Sequence, residues 1–152
     1  MYNAQYEQGV IERQTALDRL QGLYTVDDRT SWIKSPVKPD AMDFYLPDHE
    51  LAIDFGFKSI SKDYNTFSLP FEQFTKCMGY IKNDPTIRRG MLWYKDSITE
   101  DEFKLDLSDL QDLIYKQKVK IHYGANRSRG ASGCFFGIHV DFFKPFTIDD
   151  LS

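Results

Sequence analysis

Residues 42–60 read Met42-Asp43-Phe44-Tyr45-Leu46-Pro47-Asp48-His49-Glu50-Leu51-Ala52-Ile53-Asp54-Phe55-Gly56-Phe57-Lys58-Ser59-Ile60. Aromatic and β-branched side chains suit a pleated, half-buried surface, and Pro47 to Glu50 has the residues of a tight turn. Met42–Leu46 and Leu51–Ile60 are therefore expected to form a β-hairpin. Side chains alternate across a strand, so Asp54, Gly56 and Lys58 share one face of the second strand. A charged pair on so apolar a strand is costly unless it is paired or functional. A structural ion pair on an edge strand is the plain alternative.

Outward from the hairpin, Tyr6, Val10, Leu17, Leu20 and Tyr24 recur at helical spacings, predicting an amphipathic helix from Asn3 to about Leu23. Val26 to Arg29 breaks that pattern, and Thr30 to Lys34 reads as a short strand ahead of Pro36 and Pro39. Beyond the hairpin, Ser61 to Thr66 reads as a polar loop. Pro70 suits the first turn of a helix carrying Phe71, Phe74, Met78 and Ile81 on one face and ending near Asn83-Asp84-Pro85. Met91 to Tyr94 is a buried strand, and charged Asp96 to Lys104 an exposed connection. Leu107, Leu110, Leu113 and Ile114 mark a short helix, capped near Asp106 or Ser108. Val119, Ile121 and Tyr123 alternate with Lys120 and His122 as a half-buried strand. Gly124 to Gly133 is a glycine-rich loop, Cys134 to Phe143 an apolar strand, and an acidic tail follows.

This order predicts an α/β (α+β) domain with a central mixed β-sheet flanked by helices. Neither an internal repeat nor a long linker interrupts it, so residues 1–152 are expected to be one domain, with its core motifs in about 3–95 and further strands and a loop in about 106–152. The 152 residues are 41% hydrophobic, 15% aromatic and 28% charged, which excludes fibrous and disordered classes and gives ample material for a core. Cys77 and Cys134 have neither disulfide-framework nor zinc-site spacing, which suits a reducing cytosol. No apolar run is long enough for a membrane helix, and Met1 to Val10 lacks the character of a signal peptide; a cytoplasmic protein with no membrane partner is expected. A net charge of -4 and a pI near 5.3 argue against coating nucleic acid through bulk charge, though not against a local basic patch.

Pro39-Asp40 precedes the hairpin and can bring a second carboxylate to the Asp54–Lys58 face. Two carboxylates and an ammonium have the chemistry to hold Mg²⁺ through oxygen, orient or deprotonate water and stabilise a phosphoryl charge, so phosphodiester hydrolysis is the natural reaction.

At these residues the sequence resembles the PD-(D/E)xK nuclease superfamily, with its restriction-endonuclease-like core of helix, acidic hairpin with lysine, helix and strand. More narrowly it resembles Holliday-junction resolvases of the Hjc and RecU types. Gly9-Val10-Ile11-Glu12-Arg13 is similar to the family's glycine followed by a glutamate and often an arginine, Glu50 to Ser59 to its core strand, and Thr66-Phe67-Ser68-Leu69 to its approach to the next helix. The resemblance covers roughly the first 95 residues. It implies Glu12 and Asp40 as metal-site acids beside Asp54, Lys58 as the residue that positions the nucleophile, and Gln73 as a helix glutamine of the site. It further implies Mg²⁺ or Mn²⁺ as cofactor, branched or duplex DNA as substrate, and a homodimer or higher homo-oligomer.

The family's acid two residues before the lysine is Gly56 here. Asp54 replaces it, Glu72 or another acid reaches in from the next helix, or the site has lost catalysis. Arg127 and Arg129 in the glycine-rich loop, Arg88 and Arg89, and Lys34 with Lys38 are candidate phosphate contacts, each with a solvated-surface alternative. His49, His122 and His139 share no motif and receive no role. A site-specific endonuclease on the same fold, and a degenerate nuclease fold that binds nucleic acid or a protein partner, are the rival readings.

Overall fold

The computed structural model describes residues 4–29, 42–126 and 131–151. In chain order these form α1 (Ala4–Gln21), β1 (Asp27–Asp28), β2 (Phe44–Leu46), β3 (Leu51–Lys58), β4 (Thr66–Pro70), α2 (Phe71–Asn83), β5 (Arg89–Asp96), β6 (Glu102–Asp106), α3 (Leu107–Tyr115), β7 (Lys120–Asn126), β8 (Ala131–His139) and β9 (Lys144–Pro145). A six-stranded sheet has the order β1-β2-β3-β5-β6-β9, and a three-stranded sheet the order β4-β8-β7. In the larger sheet β3 and β5 are parallel and the other neighbours antiparallel. This is the expected α+β architecture: a central mixed sheet flanked by helices.

The hairpin forms as read, Leu46 opposite Leu51 and Phe44 opposite Ile53. Its turn is a 3-10 turn over Pro47–His49 closed by Glu50 at φ 50°, whose N–H donates to the Pro47 carbonyl at 3.2 Å. The Glu50 carbonyl then accepts from the Arg88 and Arg89 N–H groups at 2.9 and 3.2 Å, which fastens the turn to the start of β5.

The β3/β5 pair separates two cores. On one face α1 lays Ala16, Leu17 and Leu20 against Phe44, Ile53, Phe55, Met91 and Trp93. On the other, Phe71, Phe74, Met78 and Ile81 of α2 pack with Leu92, Tyr94, Phe67 and Phe136. Each such aromatic or aliphatic side chain contributes about 1.5–3 kcal/mol on burial, so the helical spacings in the sequence are the spacings of core anchors. Helix α2 starts after Pro70, at φ -60°, and stops at Asp84, because the residue before Pro85 avoids helical dihedrals. The Asp84 carboxylate accepts from the Thr86 N–H at 3.0 Å and hydroxyl at 2.6 Å, closing the exit turn.

Several expectations are corrected. Thr66 to Leu69 is a strand, β4, paired with β8. Of Asp96 to Lys104 only the turn at Ile98 to Asp101 is an exposed connection: Asp96 is 3% exposed and ends β5, and Glu102 to Lys104 begin β6. Burial alone would raise the Asp96 carboxyl, but hydrogen bonds from Thr99 and Ile98 hold it below the usual carboxylate range. The acidic tail packs on the domain: β9 pairs with β6 and Phe146 stacks on Trp93 at 4.5 Å. Tyr24 also donates to the Ile148 carbonyl at 2.7 Å. The last apolar strand ends at His139, and Gly124–Asn126 and Ala131–Gly133 extend the β7/β8 ladder where a loop was expected.

Strand β7 does not bury its apolar positions as expected: Ile121 is 54% and Tyr123 82% exposed, although the same face of β4 and β8 is core. The short strand expected at Thr30 to Lys34 lies outside the described residues. Cys77 and Cys134 form no disulfide, and no described helix is long and apolar enough to cross a membrane.

Candidate active site

Strand register builds the site. With Phe44 opposite Ile53, the next position places Asp43 opposite Asp54. Asp43 Oδ2 accepts from the Phe55 N–H at 2.8 Å, and its Oδ1 lies 2.9 Å from Arg13 Nε of α1. The two carboxyls are joined by a hydrogen bond, which requires one of them to keep its proton. Asp54 is 9% exposed and is pushed up to about 8, first by burial and then by the Asp43 charge, with Lys58 pulling the other way. Burial also raises Asp43, against the pull of Arg13. The Gln73 amide on α2 bonds to Asp54 and donates to Cys77 Sγ at 3.5 Å.

Lys58 stands two pleats beyond Asp54 on the same face. Its Nζ donates to the Ser68 carbonyl at 2.6 Å and sits 4.4 Å from the centroid of the Tyr94 ring. Tyr94 also explains Gly56. A Cβ at Gly56 would lie 2.9 Å from Tyr94 Cδ1 and 3.1 Å from Lys58 Cε, so the place of the family's second acid is filled by a fully buried ring. Of the three explanations for Gly56, Asp54 lies in the acid pair, whereas Glu72 is 79% exposed and ion-paired with Lys76 at 3.1 Å.

The structure thus brings together Asp54, Lys58 and Gln73 of the expected residues. Glu12 is elsewhere: it accepts from Lys95 Nζ at 2.9 Å on the α1 face of the sheet. Its neighbour Arg13 is the α1 residue that reaches the acid pair. Arg88 and Arg89 lie at the opposite end of β3/β5 from Lys58; Arg88 pairs with Glu50 at 2.6 Å, and Arg89 donates to the Leu151 carbonyl. Neither is brought to the acid pair. Asp40, Lys34, Lys38, Arg127 and Arg129 lie outside the described residues.

Asp43 was missed by sequence reasoning, yet it had a signal. A four-residue turn from Pro47 to Glu50 sets Leu46 against Leu51, and counting back along the hairpin sets Asp43 against Asp54.

The donor set fits a hard divalent cation. Burial and mutual repulsion keep one proton on the pair; a divalent cation held by both carboxylates would displace that proton to solvent, and Mg²⁺ needs only one or two protein carboxylates. No group of three or more acid, His or Cys side chains among the described residues forms a fuller cage.

No protein-family model matches this sequence, and no curated protein matches it. A solved structure of D212, a nuclease from a fusselovirus, is similar in fold, with a TM-score of 0.50 and 14% identity. The similarity covers 91% of this chain and 82% of that one. The nuclease-like fold expected from the sequence is therefore supported.

Proposed function

We propose that this protein is a metal-dependent DNA endonuclease, resolvase-like, that hydrolyses phosphodiester bonds in branched DNA such as four-way junctions and works as a homodimer. The observation that carries this reading is the Asp43–Asp54 pair midway along β3, with Lys58 two pleats further on the same face, in a nuclease-like fold. Desolvated carboxyls that repel one another are arranged for binding charge rather than for stability.

Asp43 and Asp54 would hold Mg²⁺ or Mn²⁺, which when bound supplies Lewis-acid stabilisation of phosphoryl charge and a more acidic water. Arg13 and the Phe55 N–H fix the Asp43 carboxylate, and Gln73 fixes Asp54. Lys58 contributes a cation two pleats away, held by the Ser68 carbonyl, to orient the attacking water and offset charge on the phosphate. A two-fold dimer would present two such sites to the two strands of a junction.

A second reading has its own observation. Tyr94 closes the position of the family's second acid, which favours a degenerate nuclease fold that binds nucleic acid without cutting it. Cleavage of labelled four-way junction, linear duplex and single-stranded DNA with Mg²⁺, Mn²⁺ or EDTA separates the two. The nuclease reading expects metal-dependent cutting that falls about 10²- to 10⁴-fold in Asp54→Asn and in Lys58→Ala. Binding without cutting in any metal would move the assignment to the second reading.

A further inference from the structure

The smaller sheet turns Phe67, Leu69, Phe136 and Ile138 into the core on one face. Its opposite face has a different character. Register and alternation set Ser68, Gly137 and Lys120 in one row across that face, and Phe135 and His122 in the next. Ser68 and Lys120 are exposed there, and Phe135 and His122 half-buried. Gly137 has no room for a Cβ, which would lie 2.6 Å from His122 Nε2; the imidazole lies over the glycine. Tyr64, 51% exposed, has its ring 5.8 Å from that of His122, and Lys120 Nζ is 4.4 Å from the Tyr64 centroid.

Charge is distributed to match. Residues 113–140 contain Lys116, Lys118, Lys120, Arg127 and Arg129 without one Asp or Glu, in a chain whose net charge is -4. Lys120 lies in β7 beside these rings and Lys118 just before that strand, while Lys116 pairs with Asp112 at 2.9 Å. A partner that needs both rings and charge is a strand with phosphates and unpaired bases, since bases stack on aromatic side chains while cations follow the backbone. A paired duplex would use the charge and leave the rings without a partner.

The position relative to the acid site is fixed by β4. Its Ser68 carbonyl holds Lys58, and Ser68 itself lies in the row that ends at Lys120. Strand β7 is two strands from β4, about 10 Å at ordinary inter-strand spacing, so a nucleotide on the platform would lie within one or two phosphates of Lys58.

We propose that the outer face of the β4-β8-β7 sheet binds unpaired nucleotides of a DNA strand, with Tyr64, His122 and Phe135 stacking on bases and Lys120 on a phosphate. This deepens the nuclease reading and rests on it for the course of the strand toward Lys58; the binding itself does not require catalysis. Substrates would then be those with single-stranded segments flanking the cut.

The test measures binding in EDTA by fluorescence anisotropy, with a labelled 20-mer of deoxythymidine, a blunt duplex of equal length and a four-way junction with a single-stranded flap. The 20-mer and the flapped junction are expected to bind more tightly than the blunt duplex. Tyr64→Ala should weaken the 20-mer about 5- to 100-fold and Tyr64→Phe should restore it. Lys120→Ala should lower the slope of log affinity against log salt by about 0.7. Asp54→Asn should keep the binding, so loss of cutting and loss of the platform are read separately. Unchanged 20-mer affinity in folded Tyr64→Ala and Lys120→Ala proteins overturns the proposal, as does tightest binding to blunt duplex. Loss in Lys120→Ala with none in Tyr64→Ala also overturns it, in favour of contact through phosphates alone.

Discussion

Each face of the β3/β5 pair carries an acid and a lysine, and the two sets are satisfied in opposite ways. On the α1 face Glu12 and Lys95 meet at 2.9 Å with side chains only 12% and 17% exposed, each the other's counter-charge. On the α2 face the lysine leans on a carbonyl and a ring, and Asp54 shares a hydrogen bond with another acid. The first arrangement lowers the energy of the folded chain as it stands; the second leaves charge that a ligand can relieve. Sequence alone puts both acids in the same class, and the resemblance assigned both to one metal site.

The largest expected effect that sharpens this contrast is on stability. Glu12→Gln leaves the Lys95 ammonium buried without its carboxylate and should cost about 3–5 kcal/mol in denaturant unfolding. Asp54→Asn should cost nothing or stabilise at neutral pH, because it removes a desolvated acid from beside Asp43. Equal losses in the two variants would mean that the pairs are alike.

A smaller effect is expected at Gly56. Gly56→Ala pushes a methyl against a buried ring and should destabilise by about 1–3 kcal/mol, read in the same unfolding curves. For the same reason Gly56→Glu should yield no gain of cleavage, whereas a substitution into open space would have been free to restore the family's acid.

The smallest effect is in pH dependence. Asp54 is raised from 3.8 to about 8, so the folded chain holds a proton that the unfolded chain has released. The stability from this group is full below its unfolded value and is lost as pH rises toward its folded one. Melting temperature in EDTA should therefore fall from about pH 5 to about pH 8 in the parent and fall less in Asp54→Asn. Mg²⁺ should flatten the parent curve by taking the proton's place. A parent curve that rises over this range would show that the acid pair is not strained.

Much of this was legible. Helical spacing of Leu17, Leu20, Phe74 and Ile81 and the hairpin around Pro47 gave the elements, since these patterns report burial directly. Less legible were β4, β6 and β7. Thr66 to Leu69 and Glu102 to Asp106 lack the length or apolar content to announce themselves, and Ile121 and Tyr123 alternate like core residues yet are exposed. Of the side chains at the candidate site, Asp54, Lys58 and Gln73 were named from the sequence and Asp43 was overlooked in favour of Asp40, because Asp43 sits inside an apolar run and its partner is fixed by cross-strand register.

What the sequence by itself determined is the alternation that puts Asp54 and Lys58 on one face, the helix faces that cover the sheet and the basic, acid-free character of residues 113–140. These follow from local periodicity and charge, which need no neighbours. Only the tertiary structure decided that Glu12 belongs to Lys95 and that Tyr94 fills the space above Gly56. Each depends on strands and helices far apart in the chain arriving at one register, and the electrostatics of a carboxyl are set by what arrives beside it.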